Sequence, residues 1–271
     1  MRGPAPAKIN LALVVGPLRA DGKHEVVTIY QRIGLSDRID VEPAERTRVD
    51  GFPADTLVRD ALDGLAAHTG APHRWHATID KRVPVAAGLA GGSSDAATAL
   101  RLANESLDEP LGAAELHELA AGLGADVPYF LLDGPRVGSG DGTTLAALDL
   151  PQDFWIVIAL PHGVQKQSTA DVYAAFDARG GADGWEARRD ALAGALGRVR
   201  RPRDLAALPP NDLASSPLAD ELRRLGAFRA DVSGAGPSVY GLFHHRRRAQ
   251  SAQRALRRVA QTWLTAPAWY G

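Results

Sequence analysis

Residues 84 to 94, PVAAGLAGGSS, are the feature that most restricts how this chain can fold. Three glycines lie there among small side chains, and an alanine-rich run that predicts a helix follows directly. Backbone N–H groups can approach a phosphate closely where no Cβ blocks them, and a helix N-terminus adds unpaired N–H groups and partial positive charge. The segment therefore suits a polyphosphate, although a glycine loop taken alone is more often a flexible turn with a Ser or Asp helix cap.

Hydrophobic periodicity along the chain predicts an α+β fold, an α/β sandwich rather than a uniform parallel sheet. Predicted strands lie at 7–16, 24–35, 37–43, 74–84 and 154–160, and 228–243 predicts two strands joined by a Gly-Pro turn. Predicted helices lie at 54–70 (with Asp55 near its start), 94–104, 113–123, 169–178 and 220–227, and a basic helix follows the last strand pair. A boundary is expected near residue 150, which gives domains 1–150 and 151–271.

Composition indicates an ordinary globular chain without a polyanionic partner. The net charge of −1 gives no overall field that would recruit nucleic acid or an anionic membrane. The arginine-rich run at 244–258 is interpreted as the solvated face of a helix rather than as a nucleic-acid patch. The absence of cysteine excludes disulfides and thiolate zinc sites and fits a reducing cytoplasm. No signal peptide or membrane-spanning run is recognised, so we expect a cytoplasmic protein with no membrane and no nucleic-acid partner.

Three further segments carry polar or small residues in patterns typical of a site. In PAKINLAL (6–13), Lys8 and Asn10 are two apart and so share one face of a strand. LGADVPYFL (123–131) places Asp126 between a helix end and a proline, and DVSGAGPSVYGLF (231–243) is another small-residue loop between strands. Taken singly, Lys8 predicts a surface charge and Asp126 a turn residue, and only their occurrence beside the glycine loop favours a site.

Three of these segments resemble, in this order, the three motifs of the GHMP kinase superfamily: 6–13, PVAAGLAGGSSDAA at 84–97, and 231–243. Other segments are similar to the members that act on a cytidine-diphosphate-linked methylerythritol: RADGKHEVVTIYQRIGLSDRI (19–39), GADVPYFL (124–131), QSTADVYAAFD (167–177) and PPNDL (209–213). The resemblance covers nearly the whole chain. It implies a two-domain GHMP-kinase-like fold with the active site in the interdomain cleft.

The resemblance implies transfer of the ATP γ-phosphoryl group to the 2-hydroxyl of 4-diphosphocytidyl-2-C-methyl-D-erythritol, in non-mevalonate isoprenoid precursor biosynthesis. Asp126 would orient the attacking hydroxyl, and Lys8 would keep Asp126 ionised and offset charge on the moving phosphoryl group. Mg²⁺ is implied with ATP, and Ser94 is its best candidate ligand. The ATP phosphates would be held by Pro84, Val85, Ala86, Ala87, Gly88, Leu89, Ala90, Gly91, Gly92, Ser93 and Ser94.

The resemblance also implies roles at the substrate end. Asn10 would lie near the methylerythritol, His24 would recognise the cytosine, and Tyr173 would lie against the pyrimidine. Judged from the pattern alone, His24 is an ordinary strand histidine and Tyr173 is equally well explained by helix packing. The sequence departs from the family at Lys23, where the DG-x-H segment usually has a tyrosine that covers the base. A lysine does not stack in that way, so we expect a half-open base pocket.

Two alternatives stay open from the sequence. One is a GHMP kinase for another small alcohol, such as homoserine or mevalonate, against which the DG-x-H and QSTADVY segments argue. The other is a non-catalytic nucleotide- or RNA-binding relative, against which the near-neutral charge and the joint presence of Lys8 and Asp126 argue. In each kinase interpretation the partner is a small-molecule substrate, and we expect a monomer or a weak homodimer.

Overall fold

The computed structural model describes residues 1–52, 56–164 and 167–268, which form two compact units. Unit 1 comprises Met1–Ala7, Leu35–Val85 and Ala90–Asp133, and unit 2 comprises Lys8–Gly34, Ala86–Leu89 and the chain from residue 134 onward. Both units therefore draw on several separate stretches of the chain. The expected domain boundary near residue 150 stays a prediction.

Two long strands, β1 (Arg2–Leu18) and β2 (His24–Ala44), contribute residues to both units. Unit 1 adds β3 (Arg48–Asp50), α1 (Leu57–Thr69), β4 (Arg74–Asp80), α2 (Gly91–Asn104), α3 (Ala113–Leu123) and a short 3₁₀ helix (Pro128–Leu131). In unit 1, β4 pairs antiparallel with the end of β2 and parallel with β3, and α1 packs against α2 and α3. From its fourth residue α2 is buried on almost every side, which explains its run of small alanines.

Unit 2 contains β5 (Arg136–Gly140), β6 (Thr144–Ala147), β7 (Trp155–Pro161), α4 (Thr169–Ala178), α5 (Trp185–Leu196), a 3₁₀ helix (Pro202–Ala207), α6 (Pro217–Arg224), β8 (Arg229–Val232), β9 (Val239–Phe243), α7 (Arg246–Leu256) and β10 (Ala260–Thr265). The start of β2 pairs antiparallel with β5, which pairs with β6. A second, antiparallel sheet has the order β10-β7-β9-β8. Helices α6 and α7 pack on this second sheet and bury the apolar side chains between them.

The predicted mixture of helices and strands is confirmed, with one informative difference at Asp37. The sequence predicts two separate strands, at 24–35 and 37–43, from their β-rich patterns. In the structure β2 continues through this point. The Asp37 side chain is fully buried and accepts hydrogen bonds from the backbone N–H groups of Arg82 and Val83. Its polar atoms are therefore satisfied by a neighbouring segment, and no turn is needed.

Helix boundaries differ from the predictions by a few residues. The helix expected at 54–70 begins at Leu57, while Ala54 and Asp55 lie outside the described residues. Helix α2 begins at Gly91, three residues before the predicted start, so the last two glycines of the loop form its first turn. None of the helices in the described part of the chain is long and apolar enough to cross a membrane.

Candidate active site

The middle of the glycine loop, which belongs to unit 2, is held in place by hydrogen bonds to its own carbonyl oxygens. The carbonyl of Ala87 accepts a hydrogen bond from the N–H of Ser238 at 3.1 Å, and that of Gly88 accepts one from the hydroxyl of Ser233 at 3.0 Å. The carbonyl of Leu89 accepts one from the backbone N–H of Lys8 at 3.1 Å. Ser233 Oγ also lies 3.4 Å from the backbone nitrogen of Asn10, which donates to it. The segments 6–13, 84–97 and 231–243, which the sequence singles out separately, are thus joined through this short stretch.

The backbone of the loop has a positive φ at three positions, two of which are occupied by alanine and are therefore strained. Gly88 has φ +79°, and Ala86 and Ala90 have φ +58° and +54°. A left-handed conformation costs a non-glycine residue about 1–2 kcal/mol, so the two alanines are kept there by the surrounding contacts. A Cβ on Gly88 would lie 2.3 Å from the carbonyl oxygen of Ser233, which allows no larger side chain. The loop is therefore preformed rather than a flexible turn.

Helix α2 begins in unit 1 with the glycines that end the loop. Its first N–H groups have no intrahelical acceptor, and its cap residue Ala90 makes no side-chain hydrogen bond to them. A Cβ on Gly91 would lie 3.1 Å from Nζ of Lys81, so an ammonium group lies beside this first turn. The Ser94 hydroxyl is buried and has no hydrogen-bond partner among the described residues. This end of α2 thus offers unpaired donors, a nearby cation and one unsatisfied hydroxyl.

A buried cluster of charges supports the same turn from within unit 1. Lys81 Nζ lies 2.7 Å from a carboxylate oxygen of Asp37 and 2.6 Å from one of Asp95, and both carboxylates are fully buried. Burial raises the pKa of Asp95 to about 8, because desolvation outweighs the attraction of Lys81. Burial acts to lower the pKa of Lys81, but the two carboxylates outweigh it and raise that pKa. Nothing in the sequence pattern indicated this cluster.

A chain of buried polar groups orients the Lys8 side chain in unit 2. Lys8 Nζ donates to Asn10 Oδ1 at 2.6 Å, Asn10 Nδ2 donates to Thr28 Oγ1 at 2.7 Å, and the Thr28 hydroxyl donates to the carbonyl of Ala12 at 2.8 Å. Each bond fixes the direction of the next, and the order assigns the amide oxygen of Asn10 to Lys8. Lys8 Nζ also lies 5.4 Å from the ring centroid of Tyr30. The structure therefore brings Lys8 and Asn10 together on one strand face, as the sequence predicts.

The small-residue loop within 231–243 lies close to Lys8 and Asn10. A Cβ on Gly234 would lie 3.5 Å from Asn10 Oδ1 and 3.7 Å from Lys8 Nζ, so the backbone of this loop lies close to both side chains. The side-chain amide of Asn211, in the PPNDL segment, donates to the carbonyls of Val232 and Gly234 at 3.0 and 2.7 Å. Asn211 thus positions the loop, a role that the sequence alone did not reveal.

His24 and Tyr173 lie together elsewhere in unit 2. Their rings stack with centroids 4.8 Å apart and planes 28° from parallel, and the Phe176 ring lies nearly perpendicular to the His24 ring, with centroids 5.9 Å apart. His24 Nε2 lies 2.8 Å from a carboxylate oxygen of Asp177, a residue that the sequence reasoning missed. His24 is 8% exposed, whereas the side chain of Asp177 is half exposed. The two residues assigned to the base by resemblance are therefore neighbours.

Lys23, the departure from the family pattern, forms an ion pair in the structure. Its Nζ lies 2.5 Å from a carboxylate oxygen of Asp141, which also accepts from the N–H and hydroxyl of Thr143. Burial acts to raise the pKa of Asp141, but these hydrogen bonds outweigh it and lower that pKa to about 2. Lys23 is exposed, and the pair connects its loop to the turn between β5 and β6.

Asp126 lies in unit 1, in a half-buried turn between α3 and the 3₁₀ helix that begins at Pro128. Its position fits the predicted turn residue between a helix end and a proline. The catalytic roles expected for Asp126 and Lys8, like the other site assignments, stay predictions.

Comparison with known proteins places the chain in a class of enzyme. The model of the GHMP kinases N terminal domain matches residues 56–134, and that of the GHMP kinases C terminal domain matches residues 205–261. A 4-diphosphocytidyl-2-C-methyl-D-erythritol kinase from Anaeromyxobacter sp. is 37% identical over 95% of this chain and 86% of its own length. The chain therefore belongs to the GHMP kinases, which makes it a small-molecule kinase with ATP as its phosphoryl donor.

Solved structures of GHMP kinases agree with this assignment. The crystal structure of a 4-(cytidine 5'-diphospho)-2C-methyl-D-erythritol kinase superimposes with a TM-score of 0.80 at 30% identity and covers 99% of this chain and 100% of its own. A mevalonate kinase superimposes with a TM-score of 0.77 at 12% identity, covering 98% and 99% of the two chains. At that identity the mevalonate kinase shows only that the fold is shared. The resemblance and the fold class inferred from the sequence are confirmed.

Proposed function

We propose that this kinase transfers the γ-phosphoryl group of ATP to the 2-hydroxyl of 4-diphosphocytidyl-2-C-methyl-D-erythritol. The observation that carries the proposal is the junction at residues 87–89. There the backbone N–H of Lys8, the hydroxyl of Ser233 and the N–H of Ser238 hold three consecutive loop carbonyls, so that the middle of the preformed glycine loop and the buried ammonium group of Lys8 belong to one unit. Relatives named for this substrate match over nearly the whole chain, including the segments expected to bind its cytidylyl end.

In this proposal residues 84–94 bind the ATP phosphates. Glycines allow close backbone approach, and the N-terminus of α2 supplies N–H donors and positive potential. Lys81 adds a fixed ammonium near the first turn, held by Asp37 and Asp95. Because the loop is already strained into shape, little ordering remains to be done when ATP binds.

Mg²⁺ fits the donor set at the start of α2. Mg²⁺ usually keeps several waters and takes only one or two protein ligands in addition to phosphate oxygens. The buried, unsatisfied hydroxyl of Ser94 is suited to be such a ligand, and the described residues contain no cluster of three His, Asp or Glu side chains suited to a metal. When bound, the ion would neutralise charge on the β- and γ-phosphates.

Phosphoryl transfer requires positioning and charge neutralisation rather than covalent chemistry by the protein. We assign Lys8 the task of offsetting charge on the transferring phosphoryl group, with its ammonium aimed by Asn10 and Thr28. Asp126 is assigned to orient the acceptor hydroxyl. A carboxylate is a weak base for an alcohol, so the proton moves to it late, as the bond to phosphorus forms.

At the other end of the substrate, His24 and Tyr173 are proposed to bind the cytosine. The ring of Tyr173 offers a face for stacking, which is worth about 1–3 kcal/mol for each base. Asn10 is proposed to lie near the methylerythritol, where it holds Lys8; its bonds to Lys8 and Thr28 use one lone pair and one N–H of the amide and leave one of each for the substrate.

An assay of ADP release tests this function against the alternatives. The purified protein with Mg-ATP is offered the cytidylyl substrate, mevalonate and homoserine in separate reactions. The proposal expects a kcat/KM for the cytidylyl substrate at least a hundredfold above the other two. Comparable turnover of mevalonate or homoserine would assign the chain to another branch of the family, and no turnover of any alcohol would favour a non-catalytic role.

A further inference from the structure

The His24 ring is fixed on three sides. Tyr173 covers one face, the Phe176 ring packs against His24 at 88° to its plane, and Asp177 lies 2.8 Å from Nε2. Together these contacts determine both the plane of the ring and its rotation within that plane. In the described part of the chain no hydrogen bond is made to Nδ1, so Nδ1 is the nitrogen that remains for a ligand.

The partner of Nε2 decides where the proton of a neutral imidazole resides. A carboxylate has no proton to give and only accepts hydrogen bonds, so Nε2 must be the protonated nitrogen facing Asp177. A neutral imidazole carries a single N–H, and Nδ1 therefore presents a lone pair. This tautomer is assigned from the chemistry of its partner.

A lone pair at this position distinguishes two pyrimidines of nearly equal shape. Cytosine carries an amino group at C4, which donates, whereas uracil carries a carbonyl oxygen there, which only accepts. Nδ1 of the assigned tautomer accepts a hydrogen bond from the amino group of cytosine, and it faces the carbonyl oxygen of uracil with no proton between them.

We infer that Asp177 is a positioning residue that holds His24 in the Nε2–H tautomer and thereby makes the site select a cytidylyl over a uridylyl substrate. The inference rests on the proposed function, because it requires that His24 meets the base. Asp177 acts through His24 and is not assigned a contact with the substrate. A half-exposed carboxylate on α4 would otherwise be an ordinary surface charge.

Selectivity is measured as the ratio of kcat/KM for the cytidylyl substrate to kcat/KM for its uridylyl analogue, at about pH 8.5 to keep imidazoles neutral. Asp177→Ala is expected to lower this ratio by about tenfold, the value of one lost hydrogen bond, mainly through KM for the cytidylyl substrate. The KM for ATP should not change. Asp171→Ala removes an exposed carboxylate from the same helix and should leave the ratio at its wild-type value.

A second readout is independent of turnover. Nitrogen NMR of the histidine rings, with His24 assigned by its loss in His24→Gln, reports which ring nitrogen carries the proton. Wild type should show the Nε2–H tautomer, and Asp177→Ala should show a mixture. If the alanine variant has a lowered melting temperature, both measurements are repeated with Asp177→Ser, which also lacks the carboxylate.

Two outcomes overturn the inference, and they are distinguishable. If the variants keep both the wild-type selectivity and the wild-type tautomer, Asp177 does not set the base preference, while the proposed function stands. If the wild-type protein phosphorylates neither pyrimidine substrate, the proposed function fails and the inference fails with it.

Discussion

The proposed phosphate loop (residues 84–94) and the proposed base group (His24, Tyr173, Phe176 and Asp177) are held by different kinds of contact. The loop is fixed through its backbone: three carbonyls accept hydrogen bonds, and Gly88 adopts a conformation that allows no Cβ. The base group is fixed by contacts between side chains on one strand and one helix. Changes in the loop should therefore disturb folding and ATP binding together, whereas changes at Tyr173 and Asp177, the less buried members of the base group, should alter recognition alone.

The largest effect is expected at the two residues assigned to the chemistry: Lys8, which is proposed to offset charge on the phosphoryl group, and Asp126, which is proposed to orient the acceptor hydroxyl. Lys8→Met and Asp126→Asn should each lower kcat by on the order of a hundredfold or more, because each removes a contact made in the transition state. Steady-state kinetics should show a smaller change in substrate KM. Lys23→Met removes an exposed lysine and should keep kcat near wild type. A few-fold loss for Lys8→Met would mean that its role is misassigned.

Gly88→Ala tests the claim that the loop is held through its backbone. The new Cβ would meet the carbonyl of Ser233 at 2.3 Å and would sit at φ +79°, so both the melting temperature and ATP affinity should fall. Gly134→Ala is the matched control, since Gly134 has φ +74° and open space around it. It should cost only the conformational strain, about 1 kcal/mol. Equal melting temperatures and ATP affinities for the two variants would show that the close approach is unimportant.

Tyr173→Ala tests the base group. Loss of one stacking face should raise KM for the cytidylyl substrate by roughly tenfold and leave KM for ATP and the melting temperature nearly unchanged. Tyr173→Phe keeps the ring and should behave like wild type. If the alanine variant instead loses ATP affinity, a change in the base group affects ATP binding, and the expected independence of the base group from the phosphate loop is wrong.

The smallest effect concerns the buried cluster under the loop. The pKa of Asp95 is raised to about 8 in the folded protein, so between about pH 4 and 8 the folded state keeps a proton that the unfolded chain has released. This group therefore lowers stability as pH rises through that range. Asp95→Asn removes the titration and keeps an oxygen to accept from Lys81.

In metal-free buffer the melting temperature of Asp95→Asn should exceed that of wild type by a few degrees at pH 8 and by less at pH 5. Thermal denaturation at both pH values, with Asp190→Asn as an exposed control, measures the difference. A constant gap across the pH range would contradict the raised pKa.

The sequence predicted the loop and its neighbouring motifs better than it predicted their supports. Lys8, Asn10 and the glycines were recognised from residues close to them along the chain, and a single sequence contains that information. Asp37 and Asp177 act through partners that are distant along the chain, and no local pattern distinguishes such residues from a turn residue or a surface charge. Helix α5 was not predicted, because its charged and small residues give only weak periodicity.

The central claim is that this chain phosphorylates the 2-hydroxyl of the cytidylyl-linked methylerythritol. Phosphorus NMR of the product formed from that substrate and Mg-ATP tests it most directly. The carbon that bears the 2-hydroxyl carries a methyl group and no hydrogen, so a phosphomonoester there lacks the three-bond proton coupling that an ester at any other hydroxyl shows. The account predicts a single new phosphomonoester at the 2-hydroxyl, formed by wild type and formed on the order of a hundredfold or more slowly by Lys8→Met. A phosphoryl group at another hydroxyl, or equal product from Lys8→Met, would contradict it.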